Sequence, residues 1–262
     1  DGEGTLQITG AGTTISGNVG ATASRSLLAI DVNAATSFSG TTEATNMTVD
    51  ADTTFTGAVT ANTAFTVATA GTDVILTGAG TLGTATVTTG TLTVNGLLTT
   101  VDTVNTAGKI YLEVKNNEMG AGKYTAGDGA ELHVGKALVS TDTIFLSDDS
   151  TGEADIHAGS KIFLPSNLST GETLKIVDNG QFDQGTSATA ITYAARIDAT
   201  LQDTALVDYS ASAAGEGVDT VTITANNKTS AAVATELGAT KNVGTALLQA
   251  MASLDANSAS GD

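Results

Sequence analysis

The sequence predicts an all-β protein, a right-handed parallel β-helix (β-solenoid) with short C-terminal capping helices. Three observations carry the prediction. Apolar residues fall at every second position in short runs that recur about every 8–12 residues through the N-terminal part of the chain. The residues between the runs are Gly, Asn, Asp, Ala and Thr, with one Pro in 262 residues. Aromatic residues make up 4%, whereas a two-layer sandwich usually fills its core with several large rings; a narrow stack of coils needs only small aliphatics.

The runs follow in order. Leu6–Ile8, Leu28–Val32, Met47–Val49, Phe55–Val59, Phe65–Val67, Val74–Leu76, Ala85–Val87 and Leu92–Val94 each alternate apolar with small or polar residues. Thr, roughly a sixth to a fifth of the chain, often stands between the apolar positions; its β-branch favours extended backbone and its hydroxyl suits a wet face. Similarity with a period of about 20 residues is expected of stacked coils.

Residues 1–108 are therefore read as Thr/Gly/Ala-rich solenoid coils. Arg25 is the only basic residue before Lys109, and the other nine follow. Residues 109–229 are read as a continuation with longer strands and loops. Its strands are expected at 110–114, 131–134, 144–146, 156–158, 161–164, 173–177, 191–193, 196–198, 206–209 and 218–223, and its loops at Lys115–Tyr124 and Ala211–Gly217. Asp128–Gly129, Thr170–Gly171 and Asn179–Gly180 supply turns.

Residues 230–262 form the helical cap. Ala231–Leu237 reads as a short helix ended by Gly238. Val243, Leu247, Met251 and Leu254 then share one helical face, with Asn242 as the expected N-cap.

The net charge of −18 disfavours nucleic acid and anionic membranes as partners, since both need basic patches. Without Cys there is no disulfide, thiolate metal site or cysteine nucleophile. No apolar run approaches the length of a membrane span, so this segment is not expected to insert. The chain opens on Asp1, Gly2, Glu3 and Gly4, unlike a signal peptide, and is read as the mature part of something longer.

Two stretches carry a family resemblance. Residues 161–177 run from Lys161-Ile162-Phe163-Leu164-Pro165 to Thr170-Gly171-Glu172-Thr173-Leu174-Lys175-Ile176-Val177, and residues 240–254 form the Ala-rich amphipathic segment from Thr240 to Leu254. With the Thr/Gly/Ala-rich texture before them, they resemble the passenger region of bacterial type V autotransporters, similar in style to rickettsial outer-membrane passengers that form a surface layer. The resemblance implies an exported protein on the cell surface of a Gram-negative bacterium, extracellular, with its membrane barrel elsewhere.

Candidate chemistry is sparse. His133 and His157 each have a carboxylate two residues away, Glu131 and Asp155, on the same strand face. A surface pair explains both better than catalysis, because no activated Ser accompanies them; no enzyme is expected. Asp148, Asp149, Glu153 and Asp155 lie close around Gly152; they read as a solvated acidic turn or, as a candidate metal site, as oxygens for Ca²⁺. Asp50 and Asp52 form a weaker pair, and no other cofactor is expected.

The ends of a solenoid leave backbone and apolar groups uncovered. Val243, Leu247, Met251 and Leu254 are expected to cover the C-terminal end, while Leu6 and Ile8 lie at an N-terminal end without an amphipathic helix. The expected partner is another copy of the chain, in a head-to-tail or lateral filament or layer. The alternative is an adhesin presenting loops to host or neighbouring cells.

Overall fold

The computed structural model describes residues 3–20, 27–113, 118–134, 143–146, 154–156, 159–163, 173–178, 200–201, 207–213 and 220–258. Through residue 134, strands alternate between two parallel sheets. The first holds β1 (Thr5–Ile8), β3 (Leu27–Val32), β5 (Thr42–Val49), β7 (Val59–Val67), β9 (Gly80–Val87), β11 (Leu98–Asn105) and β13 (Glu118–Ala126). The second holds β2 (Thr13–Ile15), β4 (Thr36–Phe38), β6 (Thr53–Phe55), β8 (Asp73–Leu76), β10 (Thr91–Val94), β12 (Lys109–Leu112) and β14 (Glu131–Val134). Each strand from β1 to β12 pairs in parallel with the strand two further along the chain. The architecture is a β-solenoid, as the alternation of apolar and polar residues predicts.

The register explains why so few large residues suffice. Ile8, Val32, Val49, Val67 and Val87 occupy one column of the first sheet. Ile15, Phe38, Phe55, Leu76, Val94, Leu112 and Val134 occupy one column of the second. The Phe38 and Phe55 rings stack at 4.8 Å, and Phe65 meets Phe55 edge-on at 6.2 Å. Register shifts near Ala44, Ala61 and Thr100 fall at one level of the first sheet and divide β5, β7 and β11 into two short runs each.

A glycine column turns one corner. A β-carbon on Gly40, Gly57, Gly78 or Gly96 would stand 2.2–2.5 Å from the carbonyl oxygen of Gly17, Gly40, Gly57 or Gly78 respectively. Only the absence of a side chain lets successive corners approach this closely.

The solenoid continues past residue 108, with β16 (Ala154–Ile156) on the first sheet and β17 (Lys161–Phe163) and β19 (Thr200–Leu201) on the second. The other described strands of the 109–229 region lie off these two sheets. β15 (Thr143–Leu146), β18 (Thr173–Asp178), β20 (Val207–Ala213) and β21 (Thr220–Asn227) form a third, mixed sheet in which β21 runs antiparallel to β18 and β20. The link between β20 and β21 is shorter than the dozen or more residues a parallel crossover needs, so the chain returns antiparallel. The loop expected at Lys115–Tyr124 is largely β13, whose Gly and Ala residues hid its alternation. Ala211–Ala213, expected in a loop, end β20.

Two helices follow, α1 (Ser230–Glu236) and α2 (Lys241–Ser258). The Thr229 hydroxyl caps α1 by accepting from the Ala232 N–H at 3.2 Å, and Gly238, at φ +60°, ends it as expected. Asn242 is not the N-cap of α2. The Thr240 carbonyl already accepts from the Gly244 N–H, which puts Asn242 inside the first turn.

Candidate functional site

The outer face of the second sheet changes character along the solenoid. One outward column begins Thr14, Ser37, Thr54, Ile75 and Thr93, then becomes Tyr111, His133 and Phe163. The last three rings lie flat on one another, at 4.1 Å between Tyr111 and His133 and 4.2 Å between His133 and Phe163. Parallel register produces this stack by placing the three residues one strand spacing apart. All three are half-buried, and as longer side chains than the Thr and Ser earlier in the column they stand above its level as a ridge.

The neighbouring column follows the same division. Asp52 and Asp73 lie at the N-terminal part, Thr91 follows, and Lys109, Glu131 and Lys161 lie beyond. Glu131 accepts from Lys109 Nζ at 3.0 Å and from His133 Nε2 at 3.1 Å. Burial alone would raise the Glu131 carboxyl, but the hydrogen bonds from His133 and Lys109 outweigh it and hold it below its usual value. The hydrogen bond and charge of Glu131 raise Lys109 in turn. Lys161 is exposed, and from residue 27 to 108 the chain carries acids but no Lys or Arg. Mostly small residues, among them Gly12, Thr14, Ser37 and Thr54, together with Ile75, Asp52 and Asp73, line a groove of about 360 Å³ at the N-terminal part of this face.

The N-terminal coil is the second candidate. β1 pairs with β3 and β2 with β4, and among the described residues neither has a strand on its other side. Leu6 and Ile15 are half-buried, whereas Ile30 and Phe38, their counterparts one coil on, are 0% and 1% exposed. Ile8 is 6% exposed.

The C-terminal residues are distributed differently from the expected cap. Val243 is 45% exposed and Leu247 half-buried on α2. Met251 and Leu254 also fall on α2, but their side chains lie outside the described residues. Among the described residues α2 packs chiefly against α1. The cause is Gly244, which is buried and so close to the Ser230 carbonyl that a β-carbon would stand 2.2 Å from it. The helix turns this small face inward, and Val243 outward. Lys228, at the end of β21, is buried and ties the hairpin to the third sheet through Glu236 at 2.5 Å and Asp208 at 3.3 Å. Burial would lower its ammonium, but both carboxylates hold it above its usual value.

Asp148, Asp149 and Glu153 of the candidate Ca²⁺ cluster lie outside the described residues, as does His157; Asp155 pairs in register with Thr125, its side chain undescribed. Among the described residues no three His, Asp or Glu are grouped to hold a metal ion. Asp50 and Asp52 instead serve corners, accepting from the Thr69 hydroxyl and the Asp73 N–H. Tyr124 is a core residue whose hydroxyl burial pushes up, against a hydrogen bond with Asn105. Among the described residues no helix is long and apolar enough to cross a membrane. The glycine column and aromatic ridge were not anticipated from the sequence; an apolar-x-Gly triplet, as in Phe38-Ser39-Gly40 and Phe55-Thr56-Gly57, is the signal that marks the corner. In comparisons with known proteins, no family model, no curated protein and no solved structure matches the chain.

Proposed function

We propose that the chain is a non-enzymatic structural protein of a bacterial cell surface, an exported passenger that joins copies of itself into a filament or surface layer. The observation that supports this reading is that a coil of this solenoid buries its apolar residues fully only with a coil on each side, and among the described residues β1 and β2 have one on one side only. The positions of Leu6 and Ile15 become fully buried, as Ile30 and Phe38, wherever a coil lies on both sides. Covering that edge with backbone partners and apolar contacts from a second molecule would be favourable. The resemblance of residues 161–177 and 240–254 to autotransporter passengers supports the export and surface location.

The test is negative-stain microscopy of the 262-residue chain with a Leu6→Asp/Ile15→Asp variant beside it. The expected result is fibres or sheets from the parent and nothing longer than single or side-by-side paired rods from the variant, with equal β content by circular dichroism. Isolated rods from the parent at every concentration would overturn the reading.

A further inference from the structure

We propose that the outer face of the second sheet is a lateral contact between two copies of this chain packed end for end. The inference rests on the self-assembly reading and specifies a surface and partner orientation for it. One face carries both halves of a complementary pair. At its N-terminal part lies the groove of small residues with Asp52 and Asp73. At its other part lies the ridge of Tyr111, His133 and Phe163, flanked by Lys109 and Lys161. β10 lies between them, with Thr91 and Thr93 facing outward.

A half-turn about an axis along β10 places a second copy face to face and reverses the solenoid direction. Strands one step either side of β10 then meet, so Asp73 faces Lys109 and Ile75 faces Tyr111, twice by symmetry. Two steps out, Thr54 lies opposite His133. Three steps out, the Phe163 ring reaches Ser37, and Lys161 lies one strand spacing of about 4.8 Å from the level of Asp52. Glu131 then faces Asp52, but Lys109 and His133 already hold its carboxylate. The wide ridge of each copy enters the groove of the other. A neighbour in the same direction at the same level would instead bring β12, β14 and β17 against their own copies, bulky strands against bulky strands with the groove left unfilled, which volume opposes.

The chain has no Cys, so introduced thiols report this contact without background. Thr93 lies on the symmetry axis and meets its own copy. Thr93→Cys is expected to give a disulfide-linked dimer on mild oxidation, at least tenfold above Thr48→Cys on the outer face of the first sheet. Thr54→Cys mixed with His133→Cys is expected to cross-link, and neither alone. Lys109→Gln/Lys161→Gln in the Thr93→Cys background, or 0.5 M salt, is expected to cut the yield severalfold. Circular dichroism checks that each variant folds. If Thr93→Cys gives no more dimer than Thr48→Cys while microscopy still shows assembled particles, this surface is wrong and self-assembly stands. If every variant and the parent sediment as monomers, both readings fall.

Discussion

At Gly57 a β-carbon would stand 2.3 Å from the Gly40 carbonyl oxygen, with no flexible side chain to yield. Gly57→Ala is therefore expected to destabilise the fold by about 1–3 kcal/mol through overpacking. Gly17, at the start of the same column, meets nothing within 4 Å. Gly17→Ala is expected to leave the melting temperature of the isolated chain unchanged, and paired thermal denaturation measures both. Glu131 gives a pH signature. Its folded carboxyl lies below its ordinary value, so its stabilisation is present above that value and lost as pH falls through the lowered one. Glu131→Gln is expected to cost no more than about 1 kcal/mol at pH 7, since its Lys109 partner is half exposed, and nothing once both carboxyls would be protonated. Urea titrations at pH 7 and at successively lower pH read the difference closing. The pairing of His133 with Glu131 was legible from their spacing, because residues two apart share a strand face. The ring stack was not, because it needs the register of three strands separated by unequal lengths of chain.

Among the elements, the short alternating runs were the most legible, since strand period and burial coincide in β1, β8, β10 and β12. Phe55–Val59, read as one run, instead spans a corner. Phe55 ends β6, Val59 begins β7, and the apolar alternation continues through Gly57 because both flanks point into the same core. The antiparallel pairing of β20 and β21 was hidden too, because alternation is the same in either strand direction. The α1–α2 hairpin was legible by its period and by Gly238, but not its packing, which a buried glycine decides. Its tie to the third sheet is testable. Glu236→Ala leaves the buried Lys228 ammonium with Asp208 alone, and is expected to cost about 1 kcal/mol. Hydrogen exchange should show this as faster exchange in α1, with the amides of β5–β9 unchanged.

Over the whole molecule, each coil is stabilised by the coils either side, so damage spreads along the axis rather than across it. Phe55→Ala removes the ring that contacts both Phe38 and Phe65, and is expected to cost about 3–5 kcal/mol and lower protection most in the coils next to β6. By the same stacking a coil with a neighbour on one side only is costly, and in the proposed assembly a second molecule covers β1 and β2. The most direct test is sedimentation velocity of the 25.9 kDa chain over a wide range of concentration, in low salt and with Ca²⁺ present. The account predicts a weight-average sedimentation coefficient that climbs with concentration, and a Leu6→Asp/Ile15→Asp variant that climbs much less. A single 25.9 kDa species throughout, indifferent to concentration, would contradict it.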